Sequence, residues 1–362
     1  MKTYRAAVIG CSRMGGFIDN EVIGSPKLVL PYSHAAGYVA CERTALVACA
    51  DTRPDVMEEF GKRYNIPKSR QYTDYQEMIA KEQLDIVSVA TQPEPRAAIV
   101  IHAAEQGVKA IYAEKAMAAS LQEAYAMVEA LERHGVAFNL GTNRRWFAEY
   151  DRMKEVIDSG ELGALKTIII YNTGTLFNMG SHYFDLALWL NSDQPVQWVQ
   201  ANLRVSDAVF DGDVLHEDPV GEGIVQFANG VTAYLLVTPR GTDCEVICEN
   251  GALTAYNDGL EWQLRHRAPI DPQGRTGLVA APFADVAPVS STLRLIEDLV
   301  QALDNGKPVT RCGPQVALAS TELIFAFIES HRRGGARVTL PLQERTLRLQ
   351  RNYPPRQPKL TP

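Results

Sequence analysis

Tyr4-Arg5-Ala6-Ala7-Val8-Ile9-Gly10-Cys11-Ser12-Arg13-Met14-Gly15 is the stretch on which the fold turns. Tyr4–Ile9 reads as a buried strand, and it runs into glycine where the chain must turn. A strand–glycine–helix junction of this kind suits a dinucleotide. In G-x-G-x-x-G one glycine turns the chain, one lets the backbone approach the pyrophosphate, and one lets helix meet strand. Ser12 takes the middle place here, and its hydroxyl can itself bond a phosphate oxygen. The segment alone also fits a plain strand-to-helix turn. Gly10, Ser12, Arg13 and Met14 are the candidate phosphate-loop residues.

Outward from this loop the pattern repeats. Leu46–Ala50, Asp85–Ala90 and Val108–Ala113 read as further buried strands. Pro54–Tyr64, Thr73–Lys81 and Pro95–Gln106 are amphipathic at helical spacing, the first and third opened by proline. Another helix runs from Leu121 to His134, with Ser120 as N-cap and Gly135 as its stop. Strand–helix–strand repetition specifies an α/β fold, a parallel sheet with helices on both faces. Residues 1–142 are therefore expected to be a Rossmann dinucleotide-binding domain. The second strand ends in Asp51, whose carboxylate would accept ribose hydroxyls and repel a 2′-phosphate. It lies 36 residues past Gly15, against about 20 in the usual spacing. The excess is explained if Gly16–Tyr32, with Pro26, Pro31 and two glycines, is an inserted loop. Arg53, two residues on, could tolerate a phosphate, but Asp51 favours NAD over NADP. The insertion adjoins the expected cofactor mouth, where Asp19 and Glu21 could meet polyol hydroxyls; it could equally be a surface loop or subunit contact.

After residue 150 the rhythm changes. Helices are expected over Asp151–Asp158 and His182–Leu190, with Ile168–Tyr171 as a strand between them. Val196–Val205, Gly223–Phe227, Val231–Val237, Cys244–Cys248 and Leu253–Tyr256 read as consecutive strands, and Asn229-Gly230 is a hairpin signal. Residues 143–345 thus form an α+β domain with a mainly antiparallel sheet, closed by helices at Leu293–Asp304 and Val316–Arg332. Residues 346–362 are a proline-rich tail. Asn352–Pro362, with four prolines, is expected to be extended or poorly ordered.

Composition bounds the function. Apolar residues are 46% and charged residues 22%, with 36 cations against 43 anions for a net charge of −7. Without a basic stripe or a block of like charges, nucleic acid is a poor partner. No apolar run approaches the roughly 18 residues of a membrane span, and the N-terminal run is too short for a signal peptide. A cytoplasmic protein is expected. Cys11, Cys41, Cys49, Cys244, Cys248 and Cys312 include no C-x-x-C pair, so buried thiols are the better reading and no metal site is assigned.

At Tyr112-Ala113-Glu114-Lys115-Ala116-Met117-Ala118 a family pattern emerges. Together with the glycine loop, Ala90-Thr91-Gln92-Pro93, Asn143-Arg144-Arg145-Trp146 and Asn178-Met179-Gly180-Ser181-His182-Tyr183-Phe184-Asp185, it resembles the Gfo/Idh/MocA family, grouped around glucose–fructose oxidoreductase and inositol dehydrogenase. The likeness extends to about Leu342. It implies a Rossmann domain followed by an α+β domain with an open sheet, and homodimers or homotetramers built through such sheets. It implies Thr91, Gln92, Pro93, Glu114 and Lys115 at the cofactor beside Asp51 and Arg53, and catalytic Lys115 and His182 facing a nicotinamide. The chain departs from the family at two places. Ala116 replaces the proline after the lysine. Asn178 stands where many members have an aspartate four residues before the histidine; it can orient a hydroxyl but cannot raise the pKa of His182 as a carboxylate would.

Taking hydride from an alcohol requires an acceptor for the hydroxyl proton and a donor to the developing alkoxide. His182, with an ordinary pKa of about 6.5, suits the first task. The Lys115 ammonium, at the carboxyl edge of a parallel sheet, suits the second. Asp185 shares a helix face with His182 and could orient its ring, contact a sugar hydroxyl, or merely offset the helix dipole. Of Arg144 and Arg145, one is expected to reach substrate or nicotinamide and the other to be structural. Arg144, Trp146, Asn178 and His182 are the candidate substrate contacts; His34 and the remaining histidines are left unassigned. The expected activity is NAD-dependent oxidation of a secondary alcohol of a sugar, sugar derivative or cyclitol. The alternative is a redox-neutral NAD-dependent glycoside hydrolase or lyase using transient oxidation, elimination and re-reduction. A non-catalytic sensor of the same fold is disfavoured by the retention of Lys115 and His182.

Overall fold

Short apolar runs with turn residues at their ends form six strands: β1 Tyr4–Ile9, β2 Thr44–Ala50, β3 Gln71–Tyr72, β4 Ile86–Val89, β5 Ala110–Ala113 and β6 Ala137–Leu140. In the computed structural model, which describes residues 2–206, 209–284, 286–351 and 357–362, they pair in parallel in the order β3-β2-β1-β4-β5-β6. This is the doubly wound order, in which ligands bind outside the carboxyl ends of the strands where the order reverses, here between β1 and β4. The helices are α1 Asp19–Val22, α2 His34–Ala40, α3 Pro54–Tyr64, α4 Tyr75–Glu82, α5 Pro93–Glu105 and α6 Leu121–Arg133. Ser120 caps α6 through the Glu123 N–H, and Gly135 beyond its end takes φ +62°, as its sequence position requires. The helix α5 starts at Pro93, earlier than the proline at 95 suggested.

The chain divides into two units: Met1–Trp146 with Val289–Ala319 and Arg348–Pro362, and Phe147–Pro288 with Ser320–Leu347. The expected continuous stretch 143–345 is therefore interrupted. Helix Ser291–Asp304 returns to the first unit and buries Leu295, Ile296 and Leu299 in its core. Asn139 of β6 anchors it, its side-chain N–H donating to the Asp298 carboxylate at 2.9 Å. The segment after 346 also belongs to the first unit. Arg351 donates to Gln92 and Glu94, and Lys359 and Asn20 bond each other's backbone carbonyls. Of the tail expected to be extended, residues 352–356 lie outside the described residues, and 357–362 have no regular structure.

In the second unit, α7 Ala148–Asp158 and α8 Ser181–Leu190 accompany strands β7 Leu165–Tyr171, β8 Val196–Leu203, β9 Phe210–Asp211, β10 Val214–Leu215, β11 Gly221–Phe227, β12 Thr232–Leu236, β13 Asp243–Cys248, β14 Gly251–Tyr256, β15 Glu261–Pro269, β16 Thr276–Ala281 and β17 Val338–Thr339. Nine of these make one sheet, β16-β15-β14-β13-β7-β12-β11-β8-β17, antiparallel except where β7 pairs with β12. The Asn229-Gly230 turn joins β11 to β12, with Gly230 at φ +88°. One face is buried through Ile168, Ile170, Ala233 and Leu235. On the other, Ile169, Tyr234, Ile224 and Gln200 lie in register and are only half-buried.

Candidate active site

The glycine loop is held backbone against backbone. Gly10 takes φ +92°, and a Cβ there would stand 2.8 Å from the Ala90 carbonyl oxygen at the exit of β4. A Cβ on Gly15 would lie 1.9 Å from the Gly10 carbonyl oxygen. Ser12 has φ −79° and ψ −142°, so its φ is not the left-handed one that favours glycine, although its ψ lies outside the α and β regions. After the loop the chain makes a π-helical turn, Arg13–Phe17. Asp51, at the tip of β2, accepts from the Cys11 N–H at 2.8 Å and the Arg53 N–H at 2.9 Å. The oxygen bonded to Cys11 keeps a second lone pair for a ribose hydroxyl. A loop that no side chain fills, beside an acid at the next strand's end, fits an adenine dinucleotide.

The insertion is not the structureless loop the sequence suggested. It contains α1, and its acids serve the fold. The buried Asp19 carboxylate accepts from the Tyr32 and Ser33 N–H groups at 2.9 and 3.1 Å. Glu21 takes Arg13 as partner at 2.7 Å. Neither acid is left to a polyol as its main occupation, because a turn closing onto a helix N-terminus needs acceptors for its own amides. The short helix α1 escaped notice because four residues cannot show a period.

Lys115 is half-buried just past β5. Its turn is clasped by Arg96 of α5, a fully buried guanidinium that donates to the carbonyls of both Thr91 and Ala116. Burial brings Arg96 down to about 10, against the pull of Glu114 and Glu94. Arg96 thus ties the loop after β4 to the turn after β5; nothing in the sequence marked it. Arg96→Met should leave the buried Ala116 carbonyl and the part-buried Thr91 carbonyl without that donor, at up to roughly 1–3 kcal/mol each. The expected result is a urea midpoint lowered by an equivalent of about 2–5 kcal/mol. An unchanged midpoint would show that the clasp is idle. Of the neighbouring candidates, Thr91 is half-buried, Gln92 is exposed and bonded to Arg351, and Pro93 opens α5. Glu114 turns inward: its carboxylate meets His34 Nε2 at 3.1 Å and the Lys115 N–H at 3.2 Å.

The 3₁₀ turn Asn143–Trp146 buries both of its arginines. Arg145 is fully buried, near the Arg311 carbonyl. Arg144 faces Tyr32, whose phenol burial pushes up to about 12 against the pull of Arg144 and Arg13. Trp146 is buried beneath Arg311, 5.3 Å from its ring, and its indole N–H has no acceptor among the described residues.

In the second unit a π-helical turn, Leu176–Gly180, leads into α8. Asp218, missed in the sequence, fixes this turn. Its carboxylate accepts from the Thr175 hydroxyl at 2.6 Å and the N–H groups of Phe177 and Asn178 at 2.8 and 3.0 Å. Asn178 is exposed, His182 is nine-tenths buried and Asp185 is fully buried. Full burial removes Asp185 from the role of a solvated charge at a helix end, since a buried carboxylate needs bonded partners. Below it, Phe184 packs edge-on to Phe327 at 4.7 Å. All six cysteines are free and buried. Among the described residues no group of three or more potential metal ligands occurs, and no helix is long and apolar enough to cross a membrane.

A doubly wound sheet with a glycine loop, an acid at the second strand and a lysine at the fifth defines a dinucleotide-binding class of protein. Residues 4–142 match the NAD-binding Rossmann fold of the Gfo/Idh/MocA oxidoreductase family, and residues 150–254 match its C-terminal domain. The chain belongs to this family. It is 26% identical over 231 residues to D-apiose dehydrogenase of Paraburkholderia graminis, covering 59% of this chain and 56% of that one. It is 23% identical over 203 residues to myo-inositol 2-dehydrogenase of Thermotoga maritima, covering 52% and 57%. The chain thus spans little more than half the length of these two relatives. An oxidoreductase from Agrobacterium radiobacter, solved with NAD+, L-tartaric acid and magnesium, superposes with a TM-score of 0.72 at 20% identity, over 93% of this chain and 98% of that one. At that identity the likeness shows the fold.

Proposed function

We propose that the chain is an NAD-dependent oxidoreductase acting on a secondary alcohol of a sugar, sugar derivative or cyclitol. The observation that carries this is the setting of Lys115. It is a half-buried lysine at the carboxyl edge of a parallel sheet, its turn clasped by Arg96 to the loop beside Gly10. The sugar and inositol dehydrogenases among its relatives support the substrate class. Gly10, Ser12, Arg13 and Met14 would hold the pyrophosphate, Asp51 and Arg53 the adenosine ribose, and Thr91, Gln92 and Pro93 the nicotinamide side. Bound NAD+ supplies the two-electron acceptor that takes the carbinol hydrogen as hydride. Lys115 donates to the hydroxyl oxygen and stabilises charge developing on it. His182 takes the hydroxyl proton, and Asp185 orients His182 from beneath. Arg144, the Trp146 indole N–H and Asn178 bind the remaining hydroxyls. The products are a ketone, NADH and a proton.

The half-buried sheet face carrying Ile169, Ile224 and Tyr234 suits burial against a second copy, giving a homodimer or homotetramer. The compartment proposed is the cytoplasm, in keeping with six free cysteines.

Incubation with NAD+ and a panel of aldoses, sugar acids and cyclitols should produce NADH absorbance with at least one member. NADP+ should be at least about tenfold poorer in kcat/KM, since a 2′-phosphate would meet the Asp51 carboxylate. Equal or better use of NADP+ would overturn the cofactor assignment. Silence across the panel would overturn the reaction. Release of sugar from a glycoside with no accumulation of NADH would replace it with the redox-neutral alternative.

A further inference from the structure

One buried polar chain in the first unit is absorbed by no step above. His34 opens α2 and is fully buried, and its ring lies flat on Tyr112 with centroids 3.7 Å apart and planes 11° apart. Its Nδ1 is 3.0 Å from the Ser88 hydroxyl, which is 2.9 Å from the Tyr38 hydroxyl. Its Nε2 is 3.1 Å from one Glu114 oxygen, and the other Glu114 oxygen accepts the Lys115 N–H at 3.2 Å. The directions are constrained. An ionised carboxylate only accepts, so Nε2–H donates to Glu114 whether the ring is neutral or protonated. The insertion determines where His34 sits, because Asp19 accepts the N–H groups of Tyr32 and Ser33 and Ser33 caps α2.

We infer that His34 is a positioning residue: by donating to Glu114 it keeps that carboxylate ionised at the base of the Lys115 turn, where Glu114 is a counter-charge that favours the ammonium form of the Lys115 side chain.

The charged groups set against Glu114 are His34, Lys115 and Arg96, and Tyr32 and Tyr112 lie beside it. Arg96 is a cation, and a like charge disfavours a further ammonium beside it. Burial works against ionised Glu114. The His34 bond and charge, helped by Lys115 and Arg96, overcome it and hold the carboxyl below its usual range. A depressed carboxyl is ionised above its pKa, so its charge is lost as pH falls. Without the His34 donor burial dominates, the pKa rises, and the charge disappears at higher pH than before. An inserted segment at the first loop would thereby set the proton affinity of a lysine after the fifth strand.

This rests on the proposed reaction only for the use made of the ammonium, so its test reads the lysine directly. Protein carrying 13C at lysine Cε is titrated by NMR, with the Lys115 signal identified by its absence in Lys115→Arg. Against wild type, H34F keeps the stack on Tyr112 without a donor, E114Q removes the charge, and H34Q restores an N–H toward Glu114. Lys115 should bind its proton about tenfold more weakly in H34F and E114Q. In H34F a second, acid inflection should appear as Glu114 protonates, and H34Q should stay within about twofold of wild type. Should H34F fail to fold, E114Q and H34Q decide the matter. A Lys115 titration unmoved in E114Q, or an H34Q protein displaced as far as E114Q, overturns the inference. Failure of every polyol to reduce NAD+ would sink the reaction and leave this titration standing, so the two failures are distinguishable.

Discussion

Lys115→Met should lower kcat by about 10²- to 10³-fold, the usual cost of removing one charged donor from a developing oxyanion. Methionine keeps the length and apolar stem of lysine, so loss of the ammonium is the main change. The Lys115 N–H would still reach Glu114, and the Ala116 carbonyl would still be held by Arg96. The dinucleotide should therefore bind within about threefold of wild type, a difference of well under 1 kcal/mol. Nucleotide affinity by fluorescence and kcat on the best polyol, measured on one preparation, check both halves. A kcat within about tenfold of wild type would move the oxyanion role to another group. Parallel losses in affinity and kcat would instead make Lys115 a cofactor-binding residue.

Gly15→Ala should damage binding more than any conservative change elsewhere in the loop. Its Cβ would stand 1.9 Å from the Gly10 carbonyl oxygen, and the obstacle is backbone, so no side chain can swing aside. Gly10 cannot retreat easily, since its own φ of +92° and the Ala90 carbonyl confine it. Overpacking of this kind costs about 1–3 kcal/mol. The strand–loop junction must shift by more than an ångström, so affinity for NAD+ should fall at least about tenfold. Isothermal titration with NAD+ and a thermal melt measure the two effects. An alanine variant with ordinary affinity would mean that the loop is not the pyrophosphate cradle.

Much of the fold was legible because the parallel strands are short apolar runs bounded by turn residues. Pro54–Tyr64 was delimited to the residue, and Ser120 and Gly135 bracketed α6 as read. The strand β6 was passed over because Asn139 interrupts its apolar run, and the reason that residue is tolerated, its bonds to Asp298 and the Leu295 carbonyl, lies some 150 residues downstream. The strands β15 and β16 are hard to read from the sequence because they are largely exposed or half-buried, and β15 carries charge where a core strand would carry valine. The sheet is mainly antiparallel, as its hairpin signals imply, but nothing in the sequence places β7 between β13 and β12, where it pairs in parallel with β12. Position along the chain does not reveal insertion into a sheet.

At the site, the glycine loop is legible as a strand running into glycine, and Lys115 through the Glu114-Lys115 motif that carries the family resemblance. Their supports are not. Arg96 looks like any helix arginine and Asp218 like any loop acid, while His34 is one of several unassigned histidines, three residues after Pro31. What makes them matter is burial and the carbonyls, amides or carboxylate they meet, all products of folding. Asp19 and Glu21 show the converse, since they looked available and are occupied by backbone amides and by Arg13.

The first unit is assembled from three separated pieces of chain, the last ending at Pro362. During synthesis its sheet therefore waits, with the sites for Leu295, Ile296 and Leu299 uncovered, while Phe147–Pro288 of the second unit leaves the ribosome. Nascent chains halted short of residue 291 should therefore keep that apolar surface exposed and remain dependent on chaperones.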